Sequence, residues 1–288
     1  MYTHTFSSLM THPRLVAKKA LAHVRRRIVK LPDEPEVKLI QGKVRYEFKR
    51  LPFLTEEDLR AMFTQSYDQN LEELFRQELR PGDIVLDAGS NVGYVAATAA
   101  SFVGPTGQVH GFEPVKVSYE RLEVLKRLNP EYQLFFNNVA LGDQEGVLPV
   151  TYNPAGQARN ATLVPGEQIG ITTEIPVKRL DDYIRKNIST PERIKLVKID
   201  VQGFEFLVLR GLEGFFGMGH RPLIACEIKP WVITKLGYTM ADFEQYMKNF
   251  GYTPFDLVDQ DKVVDITKFE TLEIVLFRSA AAAAGGRK

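Results

Sequence analysis

Several things are scarce in this sequence, and each scarcity closes a possibility. Its 288 residues include one cysteine, Cys226, so no internal disulfide can form. A chain without a disulfide framework fits a reducing compartment, and a cytoplasmic location is expected. No apolar run reaches the ~20 residues that a membrane-spanning helix needs. No uninterrupted apolar stretch follows the first charges, so no secretory signal is expected either. The sequons at Asn160 and Asn187 then read as chance matches. No Gly-Lys-Ser or Gly-Lys-Thr occurs, which excludes a P-loop and disfavours a nucleoside triphosphate. The formal net charge of +1 gives no sign of a nucleic-acid partner, and none is expected.

Acid is missing from one region. The first 32 residues hold no Asp or Glu but contain Arg14, Lys18, Lys19, Arg25, Arg26, Arg27 and Lys30. Leu21, Val24, Ile28 and Leu31 recur there at helical spacing, which predicts a basic amphipathic helix. Contact with a membrane surface or polyanion through residues 12–31 is one reading, and an organellar transit peptide is another. The favoured reading is a solvated helix packed on the domain by one face.

What is present is ordinary globular material, 44% hydrophobic and 25% charged. Val37–Ile40 and the alternating Val44, Tyr46 and Phe48 predict two strands turning at Gln41-Gly42-Lys43. Thr55 predicts an N-cap, followed by acids in the first turn, and a second helix covers about Asn70 to Leu79. From Asp83 onward, apolar runs alternate with helical stretches at 92–103, 116–127, 205–212 and 240–249. Such alternation implies a mainly parallel sheet with helices on both faces. The runs 253–258 and 272–277 have no helix between them and predict a final antiparallel pair turning at Asp259–Lys262. Residues 153–173 form a long polar loop between strand-like pieces at 147–152 and 175–177. The tail AAAAAGGRK is low-complexity. These readings divide the chain into an extension (1–53), a main domain (54–278) and a disordered tail (279–288).

The chemistry concentrates after the apolar run Ile84-Val85-Leu86, in Asp87-Ala88-Gly89-Ser90-Asn91-Val92-Gly93. Strand, glycine turn and helix form a nucleotide-cofactor loop. Dinucleotide sites place a glycine where the pyrophosphate approaches the backbone, and here that position is Asn91. A cofactor without a diphosphate has no such need, and S-adenosylmethionine has none. Asp87 can accept from its ammonium, and N–H groups of the turn can serve its carboxylate. Glu113, twenty residues beyond Gly93 at the end of the second strand, suits paired ribose hydroxyls. Asn137-Asn138, ending the third strand, is either an adenine reader or a turn.

Taken in order, Pro81-Gly82-Asp83, the 87–93 turn, Phe112-Glu113-Pro114, Asn138–Asp143, Leu180–Tyr183 and Val197-Lys198-Ile199-Asp200-Val201-Gln202-Gly203-Phe204-Glu205 resemble the FkbM family of S-adenosylmethionine-dependent methyltransferases. The resemblance covers about residues 60–278. It implies a Rossmann-like, seven-stranded, mostly parallel α/β sheet with an antiparallel C-terminal hairpin, carried here with an N-terminal helical and β extension. It assigns Asp87, Gly89, Ser90, Asn91 and Gly93 to the methionine end of the cofactor. Glu113 goes to ribose, and Asn138 and Val139 to adenine. Gln202 stands where such sequences usually have Glu, and Lys229 where His is commoner.

The expected acceptor is a hydroxyl on a small molecule or glycan. Asp200 is the first choice for general base and Glu227 the second, because both end strands on the ligand side. Glu205 reads as a first-turn carboxylate facing the helix dipole. No metal is expected. Tyr67, Lys229 and Trp231 are candidate substrate contacts; Tyr67 and Trp231 read equally well as packing residues. Two alternatives are an RNA or other macromolecular acceptor docked by the basic helix, and a non-catalytic adenosyl-binding scaffold.

Overall fold

The computed structural model describes residues 13–52, 54–152 and 171–279. Most of the 153–173 loop, the Asn160 sequon and the low-complexity tail lie outside the described residues.

The central strand β3 (Ile84–Ala88) is buried along its whole length, as a strand covered on both faces must be. β4 (Gln108–Phe112) and β5 (Gln133–Asn137) continue the sheet in parallel on one side. β9 (Ile194–Ile199) and β10 (Leu223–Ile228) continue it in parallel on the other. β12 (Glu273–Ser279) lies antiparallel between β10 and β11 (Tyr252–Asp256). The order is β5-β4-β3-β9-β10-β12-β11. Connections diverge on either side of β3, so a crevice opens between the carboxyl ends of β3 and β9. This is the seven-stranded, mostly parallel sheet with an antiparallel end that the motifs imply.

Alternation along β3 divides the core. Val85 faces a layer built by α3 (Gln69–Glu78), α4 (Tyr94–Val103) and α5 (Lys116–Leu128). Ile84, Leu86 and Ala88 face a layer built by α6 (Leu180–Asn187), α7 (Glu205–Arg210), α8 (Glu213–Gly217) and α10 (Met240–Asn249). The expected helix over 205–212 divides in two near Gly211, where a Cβ would stand 2.3 Å from the Gly142 carbonyl oxygen. Helices α6, α8 and α9 (Pro230–Lys235) were not expected, being short runs of 8, 5 and 6 residues.

Two further features depart from expectation. β6 (Ala140–Leu141), β7 (Gly146–Tyr152) and β8 (Ile171–Lys178) make a separate three-stranded sheet, with β8 parallel to β6 and antiparallel to β7. The β11–β12 connection is longer than a tight turn. The Asp259–Lys262 turn forms, but a short 3-10 turn at Ile266–Lys268 follows it. Aspartates drive both: Asp256 accepts from the N–H of Val258 and Asp259, and Asp265 from that of Thr267.

The N-terminal hairpin β1 (Glu36–Ile40) and β2 (Val44–Phe48) turns at Gln41 and Gly42, both at positive φ. Ile40, Val44, Tyr46 and Phe48 are buried in the same core as α4. Thr55 caps α2 (Glu56–Phe63) through the N–H of Asp58, as expected.

Helix α1 (Pro13–Ile28) carries most of its apolar stripe on the side turned away from the protein. It does pack on α2 by one face, but that face carries Ala22 and Arg26, whose Nε donates to Ser66 Oγ at 2.7 Å. Leu21, Val24 and Ile28 point away and are exposed; only Leu31, beyond the helix, is buried. The physical reason is that the guanidinium finds buried oxygens at Ser66, so the polar side of the helix turns inward.

Candidate active site

The 87–93 turn is held from within. Gly89, Asn91 and Gly93 all have positive φ, at 79°, 47° and 83°. Asn is among the residues that best tolerate this conformation, which is a local reason for its presence. A Cβ on Gly89 would sit 1.8 Å from the Asp200 carbonyl oxygen. This glycine therefore lets the turn close against the end of β9, bringing Asp200 to the crevice.

The N–H groups of Gly89 and Ser90 both donate to Phe112 O, that of Gly93 to Ser90 O, and that of Asn91 to Glu113 Oε2. These donors are thus used inside the fold rather than aimed at a ligand. The Ser90 hydroxyl donates to Asp87 O and accepts from the Phe112 N–H, so it pins the turn to β4.

Glu113 bridges the two loops, accepting from Asn91 N–H at 2.9 Å and Val115 N–H at 2.8 Å. Burial pushes its carboxyl up to about 7 despite those donors. Asn138 Nδ2 donates to the carbonyls of Glu113 and Pro114, so its amide nitrogen is already committed. Val139 is partly buried beside the α6–α7 layer. Asn137 serves Tyr183, whose hydroxyl accepts from its amide and pairs with His110.

Asp87 is 1% exposed and lies opposite Lys198 across the β3–β9 register. Lys198 Nζ stands 3.2 Å from Asp87 Oδ1 and donates to Gly89 O at 2.7 Å. Burial alone would lower the lysine's pKa, but Asp87 and Asp200 outweigh it and hold it above the usual value. Asp87 Oδ2 is buried without a hydrogen-bond partner. The motif gives Lys198 no role. Its place on the same strand face as Leu196, two residues before Asp200, is the available signal.

A second constellation lies beside the first. Asp200, Glu205 and Glu227 bring carboxylate oxygens within 4.8 Å of one another. Gln202 Nε2 donates to Asp200 Oδ1 at 2.7 Å and to Glu227 Oε2 at 3.4 Å. Lys229 Nζ lies 3.1 Å from Glu227 Oε2 and also donates to Gln202 Oε1. Burial and the neighbouring Asp200 push Glu227 up to about 8, with Lys229 opposing. Glu205 is fully buried; Oε1 accepts from Val201 and Gly203 N–H, while Oε2 has no hydrogen-bond partner. Burial pushes it up to about 7. It joins the constellation rather than merely facing the helix dipole.

Of the candidate substrate contacts, only Lys229 joins this group. Tyr67 packs edge-on against Tyr94, and Trp231 stands 46% exposed in the first turn of α9.

The profile of the Methyltransferase FkbM domain matches residues 87–254. Methyltransferase sdnD of Sordaria araneosa is 29% identical over 157 residues, covering 45% of this chain and 60% of that protein. The 31-O-demethyl-FK506 methyltransferase FkbM of Streptomyces tacrolimicus is 27% identical over 167 residues, covering 47% and 62%. The chain thus spans about three-fifths of the length of these relatives. The crystal structure of a methyltransferase FkbM from Methylobacillus flagellatus shares 14% identity at a TM-score of 0.43, covering 93% of this chain and 60% of that one.

Proposed function

The matched domain occupies more than half of the chain, which therefore belongs to the FkbM methyltransferase family, with S-adenosyl-L-methionine as its methyl donor; on that premise we propose that it O-methylates a hydroxyl of a small molecule, a sugar, glycolipid or natural product. When bound, the donor supplies a methyl group on a positively charged sulfur. The crevice fits it in one visible respect: Asp87 Oδ2 is buried and lacks a partner, and an ammonium group would complete it. Glu113 would hold ribose hydroxyls on the lone pairs its two N–H donors leave free. The Asn138 carbonyl oxygen and the Val139 backbone would face adenine.

The acceptor's proton falls to Asp200. Its side chain is 35% exposed against 12% for Glu227, so it is the more accessible to an entering hydroxyl. Gln202 donates to Asp200 Oδ1, while Oδ2 lies 4.0 Å from Lys198 Nζ, beyond direct hydrogen-bonding distance, and is the oxygen that would meet the acceptor. Glu227 shares that glutamine and is a neighbouring proton store. A positioned carboxylate accelerates deprotonation ~10²–10⁴-fold, and fixing the acceptor in line contributes through orientation. Lys198 and Lys229 balance the carboxylates, and no step in this proposal requires a metal.

The observation that carries this reading is the closure of the Gly89 turn onto the Asp200 carbonyl, which joins donor loop and base in one crevice. The test is incubation with methyl-labelled donor and a panel of sugars, glycolipids, natural-product alcohols and RNA. Label on a hydroxyl of a small acceptor is expected. Label on RNA alone, or donor binding without transfer to any of them, would overturn the proposal.

A further inference from the structure

Helix α1 has two faces, and the fold uses one. Lys19, Ala22, Arg26 and Val29 share the face turned to the protein. Ala22 is buried, Arg26 bonds Ser66, and the Val29 carbonyl accepts from Arg60. These contacts make α1 part of the folded unit. On the opposite side stand Ala17, Leu21, Val24 and Ile28, again at spacings of three and four. Leu21, Val24 and Ile28 are 53%, 54% and 77% exposed. At 3.6 residues per turn these four form one stripe, with Arg25 along one edge and Arg27 along the other. Both arginines are exposed.

Charge is equally lopsided. Seven Lys and Arg and no Asp or Glu occur in the first 32 residues, while the rest of the chain is net acidic. A solvent-facing aliphatic stripe edged by guanidinium groups suits a helix lying in a bilayer interface. Its side chains enter the acyl boundary and its cations meet anionic headgroups. RNA would satisfy the arginines and leave three aliphatic side chains in water. A protein groove would cover the aliphatics without accounting for the complete lack of acid. We propose that α1 docks this protein on an anionic lipid surface, with Leu21, Val24 and Ile28 inserted and Arg25 and Arg27 on lipid phosphates.

The position of α1 gives this docking a direction. Arg26, on its packed face, bonds Ser66; the neighbouring Tyr67 packs edge-on against Tyr94; and Tyr94 opens the helix that leaves the 87–93 turn. Helix α1 thus joins the segment that borders the turn.

The full chain is floated with phosphatidylcholine vesicles, with and without about a third phosphatidylglycerol, and titrated in parallel with a short single-stranded RNA. Binding to the anionic vesicles and little to the neutral ones is expected. The triple variant Leu21→Ser, Val24→Ser, Ile28→Ser should lose at least tenfold in vesicle affinity with an unchanged melting temperature. Arg25→Gln with Arg27→Gln should lose roughly 30-fold at low salt, about fivefold per cation. The proposal is overturned if the wild-type chain ignores anionic vesicles, or if the serine variant binds as the wild type does. A lowered melting temperature of that variant would also overturn it, because the stripe would then be packed. So would tighter capture of RNA than of vesicles.

Discussion

Asp87 and Lys198 face each other on neighbouring parallel strands, carboxylate to ammonium at 3.2 Å, with almost no water at either group. Such a pair contributes little over an apolar one but is costly to break, because the survivor is left charged and buried. Lys198→Met should therefore destabilise the protein by about 3–5 kcal/mol in urea unfolding. Adding Asp87→Asn should recover part of that loss. A loss below ~1 kcal/mol for Lys198→Met would mean that water reaches the pair.

The buried carboxyls set the pH dependence of stability. Glu227 at about 8, Glu205 at about 7 and Glu113 at about 7 all lie above the ordinary 4.5. Between 4.5 and those values the native state holds protons that the unfolded chain has released. Stability is therefore greatest near and below pH 4.5 as far as these groups are concerned, and is lost as pH rises through 7 to 8. The melting temperature should fall by several degrees between pH 5.5 and 8.5, on the order of 2–4 °C per kcal/mol for a chain this size. Glu227→Gln should flatten that slope. A melting temperature that climbs over the same range would show that these carboxyls ionise normally.

Gly89 and Gly104 provide a matched pair of turn glycines. Both have positive φ, but an added Cβ meets nothing within 4 Å at Gly104 and the Asp200 carbonyl oxygen at Gly89. Gly104→Ala should cost only the conformational term of ~1–3 kcal/mol, because its φ of 66° and ψ of −176° suit glycine alone. Gly89→Ala should cost several-fold more, or abolish binding of S-adenosylhomocysteine in calorimetry. Equal effects of the two substitutions would show that the turn can draw back from β9.

Asp200 and Glu227 should separate kinetically. Asp200→Asn is expected to lower kcat ~10²–10⁴-fold with donor affinity within a few-fold of wild type. Glu227→Gln should lose less and shift the pH profile of kcat, since the group titrating near 8 is gone. If the larger loss belongs to Glu227→Gln, the two roles are exchanged.

The sheet was legible because its signals are local. The apolar runs at 84–86 and 223–228, and the turn chemistry at Gln41-Gly42, each name an element without help from the rest of the chain. The short helices were not, since five to eight residues carry too little periodicity. The orientation of α1 is not legible for a related reason. Spacing identifies an apolar face, but the sequence does not say that Ser66 offers Arg26 a buried partner. In the site, residue types and strand ends pointed to Asp87, Glu113, Asp200 and Glu227. The partnerships were hidden, because Lys198 reaches Asp87, and Lys229 reaches Gln202 and Glu227, only through the β3–β9–β10 register.

The hairpin also bears on how the N-terminal region can be dissected. The Tyr46 hydroxyl donates to the carbonyl of Val92, inside the turn between Asp87 and Gly93. Asn129, at the end of α5, exchanges two hydrogen bonds with the Arg45 backbone, and Arg121 bonds Glu47. Cutting between α1 and β1 would isolate the membrane question. Cutting after β2 would instead strip a buttress from the 87–93 turn, so a shortened chain begun near residue 54 should lose stability for reasons unrelated to lipid.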